Sequence, residues 1–249
     1  MLAVLFTSLF ILLILSVPIA VSIGLSSVIA LVFASDLPID VLTQKAFTSI
    51  DSFPLMAIPF FIFAGTLMEK GGIAKRLVRL ANSMVGSMTG GLGIVVVVTS
   101  MFFAAISGSG IAATAALGSI LIPAMIQRGY ERSYAGALQA ISGELGVIIP
   151  PSVSMILFGV AASVSIGDLF LAGILPGLLI GFSLILGVWV ISRIKGYKGD
   201  SRLPKGERRA ALKDALFALL IPVIILGGIY AGIFTPTEAA AVAVGYSFS

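Results

Sequence analysis

Apolar residues run along this chain in long blocks, with the charges gathered in short clusters between them. Residues 1–35 carry no charge, nor do 52–68, 80–127, 169–192 or 215–237, and 133–167 carry only Glu144. A helix that crosses about 30 Å of hydrocarbon needs about 20 apolar residues, so the pattern predicts membrane-crossing helices. The first block has no basic n-region and stays apolar well past a normal h-region. It reads as a retained helix, with Pro18 the place for a bend, rather than a signal peptide.

Composition strengthens this reading. Hydrophobic residues make up 59% of the 249 and charged residues 10%, against about 45–50% and about 25% in soluble domains. So few charges cannot coat a water-facing surface of this size, and the solvent must be lipid. Cysteine and histidine are both absent. Disulfides, thiolate or imidazole metal sites, and Cys or Ser–His nucleophiles are therefore excluded. An intramembrane serine protease built on Gly108-Ser109-Gly110 would lack its usual base, so no catalytic residue is assigned. The basic residues carry no interleaved aromatic platform, which argues against nucleic acid as a partner.

The charges also set topology, because Lys and Arg favour the cytoplasmic side. Arg193, Lys195, Lys198, Arg202, Lys205, Arg208, Arg209 and Lys213 are eight of the fifteen basic residues. They mark 193–213 as a cytoplasmic loop. Lys70, Lys75, Arg76 and Arg79 mark a second such stretch, and Arg128 with Arg132 a third. Asp36, Asp40, Asp51 and Asp168 mark the opposite side. Arg132 and Arg193 then lie on one side, so the chain between them crosses an even number of times. Since 169–192 is one span, 133–167 must make one net crossing. As a straight helix it would be about 52 Å long, so a helix broken in its middle is expected.

The run 80–127 also returns to its starting side. If the glycine-rich stretch 86–93 uses part of it, arms at 94–106 and 111–126 remain, each about 20–24 Å long. The preferred reading is a re-entrant hairpin with its tip near the midplane; two short tilted spans are the alternative. Ile73, Leu77, Leu80 and Met84 recur at helical spacing among Lys75, Arg76 and Arg79. This predicts either an amphipathic surface helix over 73–88 or a basic end to the preceding span. Asp168 reads as a helix cap and Trp189 as an interface anchor.

Two polar, irregular points interrupt the apolar sequence. One is Ser107, Gly108, Ser109 and Gly110. The other is Ser142, Gly143, Glu144 and Gly146, followed by Pro150, Pro151 and Ser152. An unsatisfied backbone group in hydrocarbon costs several kcal/mol, so such breaks persist only where protein or a wet cavity satisfies them. Transporters use them to coordinate sodium through unwound carbonyls and to face anionic substrates with half-helix N-termini. The serine hydroxyls are hard oxygen donors, and the prolines stop one half-helix while Pro151 can open the next. Glu144, an intramembrane carboxylate, is a site candidate that would lie close to the ion and tune it. Ala112, Ala113, Ala115, Ala116 and Gly118 read as helix packing.

The segments ISGSGIAATAALGSILIPAM (106–125), SGELGVIIPPSVSMILFG (142–159) and FTPTEAAA (234–241) resemble the large membrane subunit, or permease, of tripartite ATP-independent periplasmic (TRAP) transporters. SVPIAVSIG, DSFPLMAIPFFIFAG and the Arg128-Gly129-Tyr130 turn fit the same family, and the resemblance covers essentially the whole chain. It implies an all-α membrane protein: a polytopic helical bundle of elevator type, with a re-entrant helical hairpin and a broken helix, built from inverted repeats. It implies sodium-driven import of carboxylate solutes, such as C4-dicarboxylates or sialic acids, across the bacterial inner membrane, with sodium ions for coupling and no cofactor. The implied partners are a small TRAP membrane subunit and a periplasmic substrate-binding protein, besides membrane lipid.

By this resemblance, Ser107, Gly108, Ser109 and Gly110 with Ser142, Gly143, Glu144 and Gly146 would hold the first sodium. Pro150, Pro151 and Ser152 would contribute to the substrate cavity. Many family members have Ser or Thr in place of Glu144. The implied organisation is scaffold helices over 1–72, a cytoplasmic arm helix over 73–90 and half of the transport domain over 91–168, with its broken helix at 133–166. A span at 169–192, the basic loop 193–213, and a last span with the start of a second repeat over 214–249 follow. The sequence stops inside an apolar stretch at Ser249, so the second hairpin is expected to be missing and these residues alone not to transport. A divalent-anion/sodium symporter of related elevator fold, or a non-transporting structural membrane subunit, are the alternatives.

Overall fold

The computed structural model describes residues 1–200 and 204–248, except for the Lys205 side chain; Arg202 of the basic stretch and Ser249 lie outside the described residues. Every described element is helical, and the chain divides into two units, Met1–Ser52 and Phe53–Ser249.

In the first unit, α1 (Leu2–Ile14) and α2 (Ile19–Ala34) pack against each other. The single bent helix expected over 1–35 is therefore two helices. The chain leaves α1 through Ser16, which takes φ 59°, and re-enters at Pro18, the residue before α2. Proline has no amide to donate and cannot continue a helix, but it sits well at the mouth of one. A third helix, α3 (Asp40–Ile50), carries Asp40 in its first turn, where an acid complements the helix dipole.

The second unit starts with a 3-10 turn, Phe53–Met56, that leads into α4 (Ala57–Lys70). Gly71 and Gly72 end α4, with Gly72 at φ 77°, and α5 (Ile73–Val85) begins as a separate helix. Its apolar stripe buries Ala74, Leu77, Leu80 and Ala81, and Lys75, Arg76 and Arg79 stay exposed. The hairpin follows as α6 (Gly91–Ser107) and α7 (Gly110–Gln127). Its arms are longer than the expected 94–106 and 111–126, because glycines 91 and 93 are helical and the tip keeps only two residues outside a helix. At 17 and 18 residues they reach about 25–27 Å.

The anticipated break divides α8 (Arg132–Gly143) and α9 (Leu145–Ile148) from α10 (Val153–Ala162), with a bend of 44° between the two parts. Next come α11 (Ile166–Lys195), α12 (Lys205–Tyr230) and α13 (Pro236–Ser247). Much of the expected loop 193–213 is helical: α11 runs on to Lys195, and Arg208, Arg209 and Lys213 ride on the first turns of α12. The cap of α11 is Ser165, whose hydroxyl accepts from the Asp168 amide. Asp168 is thus an acid in the first turn instead of the cap. A capping box opens α13, with Thr235 and Glu238 bonding each other's backbone amides. The Thr237 hydroxyl donates to the Phe53 carbonyl at 3.1 Å and so ties α13 to the 3-10 turn that leads into α4.

Four described helices are long and apolar enough to cross a membrane: Phe53–Lys70, Gly110–Gln127, Ile166–Lys195 and Gly206–Tyr230, with the broken pair a fifth. Burial sorts them. Ile94, Val95, Val96 and Val97 of α6 are at most 1% exposed. A helix apolar on every side belongs in the middle of a bundle, and α6 packs on α5, α7, α8, α9, α11 and α12. By contrast, α11 exposes Leu171, Leu175, Leu178 and Phe182 and buries Gly173, Gly177 and Gly181 on another side. Small residues at every fourth position let a transmembrane helix come close to its neighbour.

At the basic end, the base of the hairpin is fastened to the end of α11. Tyr130 stacks on Tyr197 with ring centroids 4.0 Å apart, Lys195 pairs with Glu131, and Arg128 with Asp200. The Glu131 amide donates to the Tyr197 hydroxyl. Burial pushes the Tyr130 phenol above its usual range. Trp189 lies under the Arg193 guanidinium, 4.2 Å from the ring centroid.

Candidate functional site

The hairpin tip and the helix break meet. Gly108 ends α6 at φ 62°, and its carbonyl accepts from the Val153 amide, the first residue of α10, at 3.1 Å. A β-carbon on Gly108 would sit 2.7 Å from the Pro151 carbonyl oxygen. Both the left-handed conformation and the close approach require glycine there.

On the other flank of the tip, Gly110 faces Gly143 and Gly146. A β-carbon on Gly110 would lie 2.9 Å from the Gly143 oxygen, and one on Gly146 2.8 Å from the Gly110 nitrogen. One on Gly143 would collide with the Thr114 hydroxyl. These glycines are at the contact because the two backbones touch there. Gly65 of α4 approaches from a third direction, its β-carbon position 3.4 Å from the Ser107 Cα.

Both interruptions restart in the same way. Ser109 caps α7, accepting from the Ala112 amide at 3.3 Å, and Ser152 caps α10, accepting from the Met155 amide at 3.4 Å. Ser152 also donates to the Val147 carbonyl at 2.6 Å, closing the non-helical strand over itself. Ser107 and Ser109 exchange two long bonds across the tip.

The structure thus brings Ser107, Gly108, Ser109, Gly110, Gly143, Gly146, Pro151 and Ser152 into one neighbourhood, with Ser142 next to Gly143. Of the expected break, however, only the proline part is unwound. The non-helical backbone is at 149–152, whereas 142–148 is helical around a one-residue interruption at Glu144. Proline, not the glycine pair, unwinds the chain, because it removes the amides that would continue the helix. Glu144 is exposed, while Ser142, Gly143, Leu145 and Gly146 on either side are buried.

Polar groups that the motif reading passed over lie in the same region. Gln139, one turn before Ser142 on α8, is fully buried, and neither of its amide atoms has a hydrogen-bond partner. The Ser142 hydroxyl is in the same state, as are Thr99 and Ser100 on α6, which packs against α8. Buried polar groups are nearly always satisfied, so these groups leave acceptors for something besides protein. A lone amide among small and apolar residues at 135–143 was the available signal. The glycine stripe of α11 was equally legible. Gly173 comes within 2.7 Å of the Ile148 oxygen and Gly177 within 2.6 Å of the Ile149 Cγ1, both measured from a β-carbon position. The stripe seats α11 directly on the unwound strand.

The oxygens at hand are hydroxyls and carbonyls; among the described residues no three carboxylates, imidazoles or thiols gather into a metal site. That neutral, hard-oxygen set suits an alkali cation rather than a transition metal.

An all-α polytopic bundle with a hairpin tip docked on a broken helix is the fold class of elevator-type membrane transporters. Residues 6–249 match the family described as tripartite ATP-independent periplasmic transporter, DctM component, and the chain belongs to that family. It is 50% identical over 239 residues to the isethionate TRAP transporter permease protein DctMQ of Oleidesulfovibrio alaskensis, covering 94% of this chain and 37% of that protein. It is 48% identical over 236 residues to the C4-dicarboxylate TRAP transporter large permease protein DctM of Vibrio cholerae, covering 94% and 52%. With the sialic acid TRAP transporter permease protein SiaT of Haemophilus influenzae it shares 41% identity over 205 residues, covering 82% and 33%. The chain therefore spans about half, or less, of the length of these relatives.

Proposed function

We propose that this chain forms the first half of the permease of a sodium-driven importer of carboxylate-bearing solutes in a bacterial inner membrane. A small membrane subunit and a periplasmic binding protein complete the system. The observation that carries the proposal is the junction of two non-helical points inside apolar sequence, held by the Val153-to-Gly108 backbone bond. Breaks of this kind are stable in lipid only when enclosed, and they present carbonyls and amides for ions and substrates.

In this reading the hairpin is re-entrant. Ser107, Gly108, Ser109, Gly110, Ser142, Gly143 and Gly146 hold a sodium ion. The break at Pro150, Pro151 and Ser152, just before α10, contributes to the substrate cavity, where the dipole at the N-terminal end of α10 favours a carboxylate. Glu144, exposed beside this cluster, tunes the ion site through its charge. The names of the relatives support organic anions as the solute class: isethionate, C4-dicarboxylates and sialic acid.

The test uses the complete permease with its small subunit. Sodium, but not potassium at equal ionic strength, should raise its thermal midpoint. The increment should vanish when Ser142→Ala is introduced. Equal stabilisation by both ions would remove the sodium site. A shift in the sodium dependence or pH profile of uptake is expected for Glu144→Gln, and unchanged profiles would take Glu144 out of the site.

A further inference from the structure

At the basic end of the second unit, α5 and α12 form a groove of about 450 Å³, lined by Leu80, Ser83 and Met84 from α5 and Arg208, Arg209 and Leu212 from α12. We infer that this groove is a binding site for an anionic phospholipid, with the arginines holding the phosphate and Met84 and Leu212 lying along the acyl chains.

Charge comes first. The Arg79–Asp214 pair, at 3.0 Å, fastens α5 to α12 beside the groove and engages Asp214 of α12. Arg208 and Arg209 are exposed and have no ion-pair partner among the described residues. They also stand in the first turns of α12, where the helix dipole is already positive and cations are disfavoured. Glu207 is the only acid in that first turn. Two unpaired guanidiniums at a helix N-terminus are stabilised by an anion, and guanidinium matches a phosphate oxygen pair.

The apolar walls identify the anion. Met84 is 53% exposed and Leu212 51%, a poor arrangement in water beside two charges. The segment Gly206–Tyr230 is long and apolar enough to span a membrane, so Arg208 and Arg209 lie where a span meets the headgroup layer. The amphipathic α5 forms the other wall. A cationic rim above exposed apolar side chains, at that level, has the shape of a headgroup on its tails. Basic pockets between helices at this level bind anionic lipid heads, and each basic residue near the surface favours them by about five-fold. A soluble phosphate would make no use of Met84 and Leu212.

The complete permease, in complex with its small subunit, is exchanged into mixed micelles of phosphatidylglycerol and phosphatidylethanolamine with matched acyl chains, and retained lipid is read by native mass spectrometry. Phosphatidylglycerol should be kept in preference. The double variant Arg208→Gln/Arg209→Gln should lower that preference by about 25-fold, taking about five-fold for each charge. Arg208→Lys/Arg209→Lys should retain most of it, and Arg193→Gln at the end of α11 should leave it unchanged. Equal retention of the two lipids, or an undiminished preference in the double Gln variant, would overturn the assignment. So would displacement of phosphatidylglycerol by millimolar inorganic phosphate. A photo-crosslinker at Leu212 should capture lipid, and capture of a protein segment instead would also refute it.

Discussion

The hairpin tip and the helix break do the same job with opposite materials. At the tip, Gly108 stops α6 by adopting a left-handed conformation, and at the break Pro150 and Pro151 stop the first half-helix by withholding amides. Each interruption is followed by a serine in extended conformation that caps the next helix, Ser109 for α7 and Ser152 for α10. Ser152 is fully buried and carries a second bond to Val147, whereas Ser109 is only half-buried. The tip is thus held mainly by what it touches, and the break by its own covalent stiffness and the cap beneath it. Two ways of ending a helix are combined so that one can pack into the other.

That contrast can be broken in graded steps. Gly108→Val should be the most damaging change, since it forces a β-branched residue into φ 62° and against the Pro151 carbonyl. A cost of about 3 kcal/mol or more is expected, read as a lost folding transition or poor recovery in detergent. Gly173→Leu should come next, at about 2–3 kcal/mol, because its side chain would enter the space of Met155 and the Ile148 carbonyl. If the break were rigid without α11, the thermal midpoint of this variant would stay at the wild-type value. Ser152→Ala removes a cap and a buried bond together and should cost about 1–2 kcal/mol. Ser109→Ala should cost only about 0.5–1 kcal/mol. Equal midpoints for the two alanine variants would erase the distinction between tip and break.

The positions of these interruptions were legible to different degrees. An even number of crossings, as the charge clusters imply, asks for a break in 133–167, and the structure bends it there by 44°. Of the two parts of the expected break, the prolines do unwind the chain, at 149–152, and the glycine part does not. Ser142-Gly143-Glu144 looks irregular in sequence, yet glycine inside a helix costs only about 1 kcal/mol when packing rewards close approach. Here Gly110 and Thr114 supply that packing. The turn at Ser16–Pro18 was likewise read as a bend, because an apolar run gives no hint of whether a proline kinks a helix or starts another.

The string of residues was enough to require lipid as solvent, cluster the basic residues at one end, and place small and polar residues where helices must stop. Those are local properties: transfer energies, charge spacing and the backbone freedom of glycine and proline. Pairing was beyond it. That Gly108 docks on Val153, that Gln139 and Ser142 are buried without partners, and that Glu144 stays exposed depend on which faces of distant helices meet. Close packing chooses those faces from contacts scattered across the chain, and no single stretch of residues records them.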